Sequence, residues 1–331
     1  MKKINESELE VGDVILTTTN QVISKGIRAA TKGEISHAMI YVQSHSVIDA
    51  TSDGVQARNT QRLFFDDDCA IHVLRLIEPL SDDEMRLVTD YARSCVGTEY
   101  SKKEALQTVL GRSNVSTKKQ FCSRLVARAY ANGGVVIVTD VDYCTPNDIQ
   151  ESVLLRPVDN SVRYVSKDEI DARQGIPSTP ERMIDATNSV LAGARKIDRS
   201  IQDFSDIDHY LIEHPEHDEY FSSLYRESGY LTLWAFEKNK NEWIYVLEKM
   251  EAFRGDDSEK RYYCEDLCSD LEEGIRRFEV NLAAYTVYLA TYKLETFRLL
   301  HDLYATLASL HMQRVEVARE WLAIHSRDAA Q

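Results

Sequence analysis

The chain has 331 residues, of which 43% are hydrophobic and 28% charged, so its length and composition indicate a globular protein of two domains and exclude disorder. Its formal charge is −15, of which −11 falls from Glu181 onward; this argues against nucleic-acid binding and disfavours electrostatic docking to anionic lipid. No apolar run is long enough to span a membrane, and the spacing of the six cysteines predicts reduced thiols.

The N-terminal residues lack the apolar core of a secretory signal. We therefore expect the protein to be cytoplasmic as synthesised. Export by a dedicated secretion system that needs no signal peptide stays open, because composition does not report on it.

The first half of the chain alternates short strands and helices. Strands are predicted over 11–17, 35–42, 47–51, 70–76 and 134–139, with up to two more within 153–165. A short helix is predicted over 21–31. Ser81 and Glu84 form a capping box that predicts a helix ending at Gly97, and Thr145 caps a further short helix.

The segment 119–130 carries the residues on which the functional prediction depends. Cys122 lies near the start of a helix for which Ser116 and Thr117 are candidate start signals and Gly133 is the stop. A thiol in the first turn is stabilised as thiolate by the helix dipole. A buried structural cysteine is the alternative reading, because a nucleophilic cysteine needs a base from elsewhere in the chain.

His37 is a candidate for that base. The two strands 35–42 and 47–51 can form a hairpin in which Tyr41 pairs with His45, so that His37 lies opposite Asp49. An imidazole and a carboxylate at that separation can share a hydrogen bond. A slip by one residue turns Asp49 to the other face, and a core histidine beside a strand-end aspartate is the alternative.

The second half of the chain is predicted to be helical. Two prolines and a glycine predict a linker over 171–180, between a first domain at 1–170 and a helical bundle at 181–331. Apolar residues spaced alternately by four and three indicate one long helix over 258–325 with Gly274 as its weak point; they are Leu271, Ile275, Phe278, Leu282, Tyr285, Leu289, Tyr292, Leu299, Leu303, Leu307 and Leu310. Because this seam is rich in tyrosine, it favours the core of an intramolecular bundle over an open coiled coil.

Two further groups of side chains contain residue types that bind metals. His209, His214 and His217 fit no standard zinc spacing, which favours a solvated acidic loop. Cys264 and Cys268 share a helix face without a second cysteine pair, which favours packing. We therefore expect neither a metal nor a cofactor.

Six motifs in order carry a family likeness: GDVIL, SHAMIYV, VIDAT with DGV, GTEY, FCSRLVARAY and TPNDI. Residues 8–165 resemble the circularly permuted, NlpC-like branch of the papain fold, most of all the YiiX-like hydrolases, and more distantly the lecithin:retinol acyltransferase-like enzymes. The resemblance implies an α+β fold in which an antiparallel sheet packs against the cysteine-bearing helix. The acidic second half lies outside it.

The resemblance also implies roles for individual residues. Cys122 is the nucleophile, His37 the base and Asp49 the third member of a triad, with His45 and Asp53 as weaker candidates for that third position. Three further side chains are expected to line the site, namely Tyr100, Ser36 and Ser123. Arg124 stands where the family often has glutamate, which leaves the subfamily and the substrate open.

The predicted function is a thiol hydrolase that cleaves an amide bond, with bacterial cell-wall peptide as the substrate on family likeness alone, and with an antibacterial effector as one context. A lipid acyl hydrolase or acyltransferase is the alternative with the same triad. An inactive papain-like module that serves as an interaction scaffold is the third. The acidic helical half is a candidate surface for an inhibitor, an immunity protein or a carrier.

Overall fold

The computed structural model describes residues 1–18, 35–101, 119–173, 178–253, 257–269 and 271–328. These residues form eight strands and twelve α-helices, and the predicted α+β fold class is confirmed. The helix predicted over 21–31 and the start signals Ser116 and Thr117 lie outside the described residues. The chain divides into two compact units, which are Met1–Ile184 with Arg195–Ile207, and Asp185–Ala194 with Asp208–Gln331.

The first unit is built on an antiparallel six-stranded sheet with the order β5-β4-β3-β2-β6-β7. Its strands are β2 (Val14–Thr17), β3 (His37–Gln43), β4 (Ser46–Thr51), β5 (Gly54–Asn59), β6 (Ile71–Leu76) and β7 (Leu155–Pro157). A separate pair joins β1 (Lys2–Ile4) to β8 (Val162–Tyr164). The strands predicted within 153–165 are present as β7 and β8, whereas β1 and β5 were not predicted.

Alternate residues of the strands supply two apolar cores. One face contributes Val14, Leu16, Ala38, Ile40 and Ile48 to a core that also contains the apolar side of the cysteine-bearing helix. The other face contributes Ile15, Met39, Tyr41, Val47 and Val73 to a smaller core. Successive side chains of a strand point to opposite faces of the sheet. Since both faces are buried here, β2, β3 and β4 consist of nearly continuous runs of apolar residues.

The described helices of the first unit are α1 (Asp82–Ser94), α2 (Cys122–Asn132), α3 (Pro146–Gln150) and α4 (Lys167–Arg173), followed by α5 (Thr179–Ile197), whose residues are divided between the two units. Two of them, α1 and α3, begin at the predicted capping residues, whereas α2 begins at Cys122 itself. Capping boxes are present at Ser81 with Glu84 and at Thr145 with Asp148. The strand predicted over 134–139 was wrong: Ile137 and Val138 are buried in the core from an irregular segment, so apolar burial there needs no strand pairing.

The second unit is helical. Its further helices are α6 (Phe204–Glu213), α7 (Asp218–Glu227), α8 (Leu233–Lys240), α9 (Leu247–Ala252), α10 (Asp257–Ser269), α11 (Leu271–Tyr292) and α12 (Glu295–Asp328), the first residues of α6 counting with the first unit. The single helix predicted over 258–325 was therefore wrong. Lys293 adopts a left-handed φ of 57° between α11 and α12, and Gly274 lies inside α11.

The tyrosine-rich seam packs against itself across this break. The rings of Tyr285 on α11 and Tyr304 on α12 are stacked, with their centroids 5.6 Å apart. The ring centroids of Tyr285 and Phe297 are 6.2 Å apart. Tyr285 donates a hydrogen bond of 3.0 Å to the Asp208 carboxylate. The seam is thus a core inside the helical unit.

The domain boundary stays a prediction. The predicted linker overlaps the end of α4 and the start of α5, and the first compact unit extends through Ile184 and takes in Arg195–Ile207. Sequence patterns do not anticipate a unit that is assembled from two separate stretches of chain.

Candidate active site

Cys122 is the first residue of α2 and is 4% exposed. The N-cap residue, Phe121, is extended and provides no side-chain cap. No acidic residue lies in the first turn of this helix. The positive end of the helix dipole therefore lies at Cys122 without competition from a capping side chain, and it can stabilise an oxyanion that forms at this position.

The segment that leads into Cys122 is held by the GTEY motif. The Ser101 N–H donates to the Gln120 carbonyl at 2.8 Å, and the Gln120 N–H donates to the Glu99 carbonyl at 3.1 Å. The Lys119 ammonium lies 2.6 Å from the Glu99 carboxylate. These contacts bring Tyr100 to the start of α2, where it bridges to Gln120.

The GTEY motif is in turn anchored to β5. The Val55 N–H donates to the Thr98 carbonyl at 2.9 Å, and the Gly97 N–H donates to the Val55 carbonyl at 2.8 Å. Gly54 has a φ of +91°, and a Cβ there would lie 2.7 Å from the Thr98 carbonyl oxygen. Glycine is required at this close approach, which explains the Asp-Gly-Val motif physically.

The two residues after Cys122 fasten the helix to the protein. The Ser123 hydroxyl donates to the Cys144 carbonyl at 2.7 Å, so this hydroxyl, predicted to line the site, anchors α2. Arg124 is fully buried, and its guanidinium donates to the Asp142 carbonyl at 2.7 Å and to the Lys119 carbonyl at 2.9 Å. Arg124 therefore ties the segment before Cys122 to the loop that carries Asp142.

His37 and Asp49 meet through a register that differs from the predicted one. Asp49 pairs with Met39, because the hairpin turn falls at Ser44 and His45, which have left-handed φ values of 47° and 59°. The predicted pairing of His37 with Asp49 was wrong by two residues. An even shift keeps both side chains on one face, and His37 Nε2 lies 2.8 Å from Asp49 Oδ2.

Cys122 is the second partner of His37. Burial disfavours a charged imidazole, but hydrogen bonds to Asp49 and Cys122, together with their negative charges, raise the pKa of His37 to about 10. Because Nε2 is engaged by Asp49, Nδ1 is the ring nitrogen left to exchange a proton with the sulfur. The three predicted residues thus come together around one imidazole.

Arg58 joins this cluster from β5, and sequence reasoning missed it. Its Nε lies 2.8 Å from Asp49 Oδ1, and its Nη2 donates to Thr51 Oγ1 at 3.1 Å. Burial favours the neutral acid, but His37 and Arg58 hold the pKa of the Asp49 carboxyl below its usual value. A sequence signal for Arg58 would have been the alternating side-chain direction of a predicted strand β5. In the β4–β5 register, Arg58 lies opposite Val47.

Three more polar side chains lie around these groups. Burial and the negative charge of Cys122 raise the pKa of Tyr100, so its phenol stays protonated. Thr17 lies directly opposite His37 on β2, is fully buried, and has no hydrogen-bond partner for its hydroxyl among the described residues. Ser36 is 3% exposed, and its N–H donates to the Thr17 carbonyl at 3.0 Å.

Comparison with known proteins identifies the first part of the chain. Residues 8–160 match the family described as permuted papain-like amidase enzyme, YaeF/YiiX, C92 family. This part of the chain is similar to that family, and the resemblance predicted from the motifs is confirmed. Residues 8–160 make up the sheet with α1, α2 and α3, and we call them the amidase domain after the description of the family.

The solved structure of the metalloprotein yiiX from Escherichia coli O157:H7 is similar to this chain at 18% identity. The match covers 46% of this chain and 97% of that chain, with a TM-score of 0.38. No curated protein matches the chain. Within the described ranges, no helix has the length and apolar character needed to cross a lipid bilayer.

The weaker candidates for the third position lie elsewhere in the amidase domain. The ring of His45 lies in the hairpin turn, 3.7 Å from the Glu6 carboxylate. Asp53 lies in an exposed turn, where its N–H donates to Thr51 Oγ1 at 3.3 Å. Neither side chain takes the place beside His37 that Asp49 occupies.

Potential metal-ligand atoms converge at one place in the part of the chain that the structure describes. Atoms of the exposed Asp66 and Asp68 and of the buried Cys69 lie there within 4.8 Å of one another. The loop predicted for the three histidines was wrong in part, because His209 lies in α6. His217 shares a hydrogen bond of 2.8 Å with the Tyr210 hydroxyl, and His214 lies 3.3 Å from the Glu216 carboxylate.

Proposed function

We propose that this protein is a thiol hydrolase that cleaves an amide bond through Cys122, His37 and Asp49. The observation that carries the proposal is the double engagement of one imidazole, by the Asp49 carboxylate at 2.8 Å and by the Cys122 side chain. A nucleophile, a base and a group that orients the base are the parts that covalent catalysis of acyl transfer requires.

Acylation begins from a thiolate at Cys122 and an imidazolium at His37. The sulfur attacks the substrate carbonyl carbon, and the carbonyl oxygen becomes an oxyanion. Uncapped N–H groups of the first turn of α2 are the donors available to that oxyanion. As the tetrahedral intermediate collapses, His37 gives its proton to the leaving nitrogen, the C–N bond breaks, and a thioester to Cys122 remains.

Deacylation reverses the roles of the same groups. Neutral His37 takes a proton from water, and the resulting hydroxide attacks the thioester carbonyl. The C–S bond breaks, a carboxylic acid leaves, and the thiolate–imidazolium pair is restored. Asp49 holds the ring through Nε2 during both halves, so that Nδ1 faces the reacting atoms.

For the substrate we propose the peptide amides of bacterial cell wall. The family is one of amidases, which supports an amide in preference to an ester. The described side chains around His37 are polar, namely Thr17, Ser36, Asp49 and Arg58, which suits a peptide better than an acyl chain. An enzyme that acts on an envelope endangers its own cell, so the proposal includes a partner protein that blocks access to Cys122.

Selective labelling tests the thiol. Burial raises the pKa of Cys95 to about 11 and of Cys144 to about 12, so these thiols stay protonated near neutral pH. We expect iodoacetamide at pH 7 to alkylate Cys122 first, and we expect His37→Ala to remove that preference. Cys144→Ser is the matched control, which should label like the wild type. Slow, uniform labelling of all six cysteines would favour the scaffold hypothesis instead.

Substrate incubation tests the bond. Purified peptidoglycan and, separately, phospholipid vesicles are incubated with the protein and with Cys122→Ala. New free amino groups from peptidoglycan, absent with the variant, are the expected result. Release of free fatty acid from the vesicles, with the peptide stems intact, would replace the amidase proposal by the lipid hydrolase.

A further inference from the structure

The carboxylate of Asp49 has two oxygens with different partners. Oδ2 lies 2.8 Å from His37 Nε2, and Oδ1 lies 2.8 Å from Arg58 Nε. Asp49 is 2% exposed, so it is an almost fully buried carboxylate held between an imidazole and a guanidinium. Such partners keep a buried carboxylate ionised and fix its orientation. If Arg58 is lost, the orientation of the carboxylate toward His37 is no longer fixed from its second side.

Arg58 is itself fixed in place. Its second nitrogen, Nη2, donates to Thr51 Oγ1 at 3.1 Å, and Thr51 ends the strand that carries Asp49. The planar guanidinium thus spans two side chains of β4 from the neighbouring strand β5. Two contacts from one rigid group fix the position of the carboxylate better than one contact from a flexible ammonium.

We propose that Arg58 is a positioning residue for the proposed thiol site and acts on His37 through Asp49. The inference rests on the proposed function and extends its chain of side chains from three members to four. Among the described residues, the side chain of Arg58 donates to Asp49 and Thr51 and not to Cys122. Its effect is therefore on the orientation of the imidazole and on the range of pH over which Asp49 stays ionised.

The expected size of the effect follows from the exposure of the guanidinium. The Arg58 side chain is 28% exposed, so water screens part of its charge. We expect Arg58→Gln to lower kcat/KM about tenfold with KM nearly unchanged, the order of magnitude of one hydrogen bond to a charged group. Arg58→Lys restores the charge without the second contact, and we expect it to recover part of the loss.

The direction of the pH effect can be worked out from the groups that act on Asp49. These are His37 from β3 and Arg58 from β5, while Cys122 acts on His37 from α2. Removing the Arg58 cation raises the pKa of Asp49, so the carboxylate protonates at a higher pH. The acidic limb of kcat/KM should therefore move to higher pH in Arg58→Gln, and less so in Arg58→Lys.

A double-mutant cycle in the full-length protein tests the route of action. Arg58→Gln is measured alone and in an Asp49→Asn background, with the exposed Arg156→Gln on β7 as the matched control. The readouts are kcat/KM against pH on the cleaved peptide, the rate of Cys122 alkylation, and thermal unfolding to verify the fold. If Arg58 acts through Asp49, its replacement has almost no further effect in Asp49→Asn.

The outcomes separate the two proposals. Activity in the wild type, with Arg58→Gln indistinguishable from Arg156→Gln, overturns the role of Arg58 and leaves the thiol hydrolase standing. An equal loss from Arg58→Gln in both backgrounds also overturns it, because the residue then acts by another route. A wild type with no selective Cys122 reactivity and no amide cleavage overturns the proposed function itself and Arg58 with it.

Discussion

Asp49 lies diagonally across the β3–β4 pair from His37, and yet His37 Nε2 is only 2.8 Å from Asp49 Oδ2. Long polar side chains reach diagonal neighbours in a sheet, whose Cβ atoms are about 7–8 Å apart. The contact therefore depends on the direction of each side chain, which makes it sensitive to any change in the carboxylate.

The first prediction concerns the charge of that carboxylate. Asp49→Asn keeps the size of the side chain but removes the charge that favours the His37 imidazolium, so kcat/KM should fall about a hundredfold or more. Steady-state kinetics on the peptide substrate measure this. Asp53→Asn, in the exposed turn nearby, is the matched control and should behave like the wild type. The assignment of the third position fails if Asp53→Asn is the impaired variant.

The second prediction concerns the alkaline limb of the pH profile. The pKa of His37 is raised to about 10, so the imidazolium persists through the ordinary histidine range and is lost as pH rises through about 10. Since the imidazolium protonates the leaving nitrogen, kcat/KM should decline above pH 10 and not near 6.5. In Asp49→Asn the decline should move to lower pH, because one of the interactions that raise the pKa of His37 is gone.

Circular dichroism at each pH verifies that the protein remains folded. A wild-type decline centred near pH 6.5 would contradict the proposed contacts of His37 with Asp49 and Cys122.

The third prediction assigns a contribution to the phenol of Tyr100. Its raised pKa keeps the proton on the oxygen across the working range, and it lies close enough to Cys122 to sense the charge of the sulfur. If the phenol donates to the oxyanion, Tyr100→Phe lowers kcat about tenfold or more while KM is unchanged. Tyr91→Phe in α1, whose hydroxyl accepts from Gln120 at 3.4 Å, is the control for a lost buried hydroxyl in the same neighbourhood. Equal losses in both variants would indicate packing alone.

Much of this site could be predicted from the sequence, because local chemistry places it. Cys122 is followed by an apolar helical stripe, and the capping signals at Ser81 and Thr145 depend only on residues three apart. His37 and Asp49 belong to two adjacent strands, so their shared face follows from alternation even though the register was wrong by two.

The remainder depended on contacts between distant segments. Arg58 was missed because β5 was not predicted, and the strand predicted over 134–139 was wrong because Ile137 and Val138 bury their side chains from an irregular segment. The predicted long helix is interrupted at Lys293, which has a left-handed backbone conformation. No rule based on composition indicates such a conformation for a lysine. The spacing of apolar residues predicts which side chains are buried, but it does not predict which other segment of the chain they contact.

The fourth prediction concerns a residue beyond the family match. The Arg195 guanidinium donates to the carbonyls of Gly97, Ile201 and Gln202 at 2.8, 3.0 and 2.7 Å, and so ties the GTEY motif to the stretch Arg195–Ile207. Arg195→Met leaves three carbonyls without this donor, and the free energy of unfolding should fall by about 2 kcal/mol.

Urea unfolding of the full-length protein measures this loss. Lys196→Met is the control, since it removes a neighbouring exposed cation from the same helix. Slower alkylation of Cys122 should accompany Arg195→Met, because the GTEY motif holds the segment before the cysteine. Equal unfolding curves for the two variants would show that the stretch after α5 is not needed to stabilise the amidase domain.

The fifth prediction concerns the break in the helical unit. The Asp218 carboxylate accepts hydrogen bonds from the N–H groups of Glu295 at 2.7 Å and Thr296 at 2.9 Å, so a residue of α7 caps the start of α12. Asp218→Ala leaves both N–H groups without this acceptor and should lower the free energy of unfolding by about 1–2 kcal/mol.

Glu219→Ala, one residue along the same helix and exposed, controls for the loss of a negative charge. Because Asp218 caps a helix inside the helical unit and is not part of the proposed triad, amide cleavage by Asp218→Ala should equal that of the wild type under native conditions. A loss of activity without a loss of stability would instead show that the helical unit takes part in the reaction.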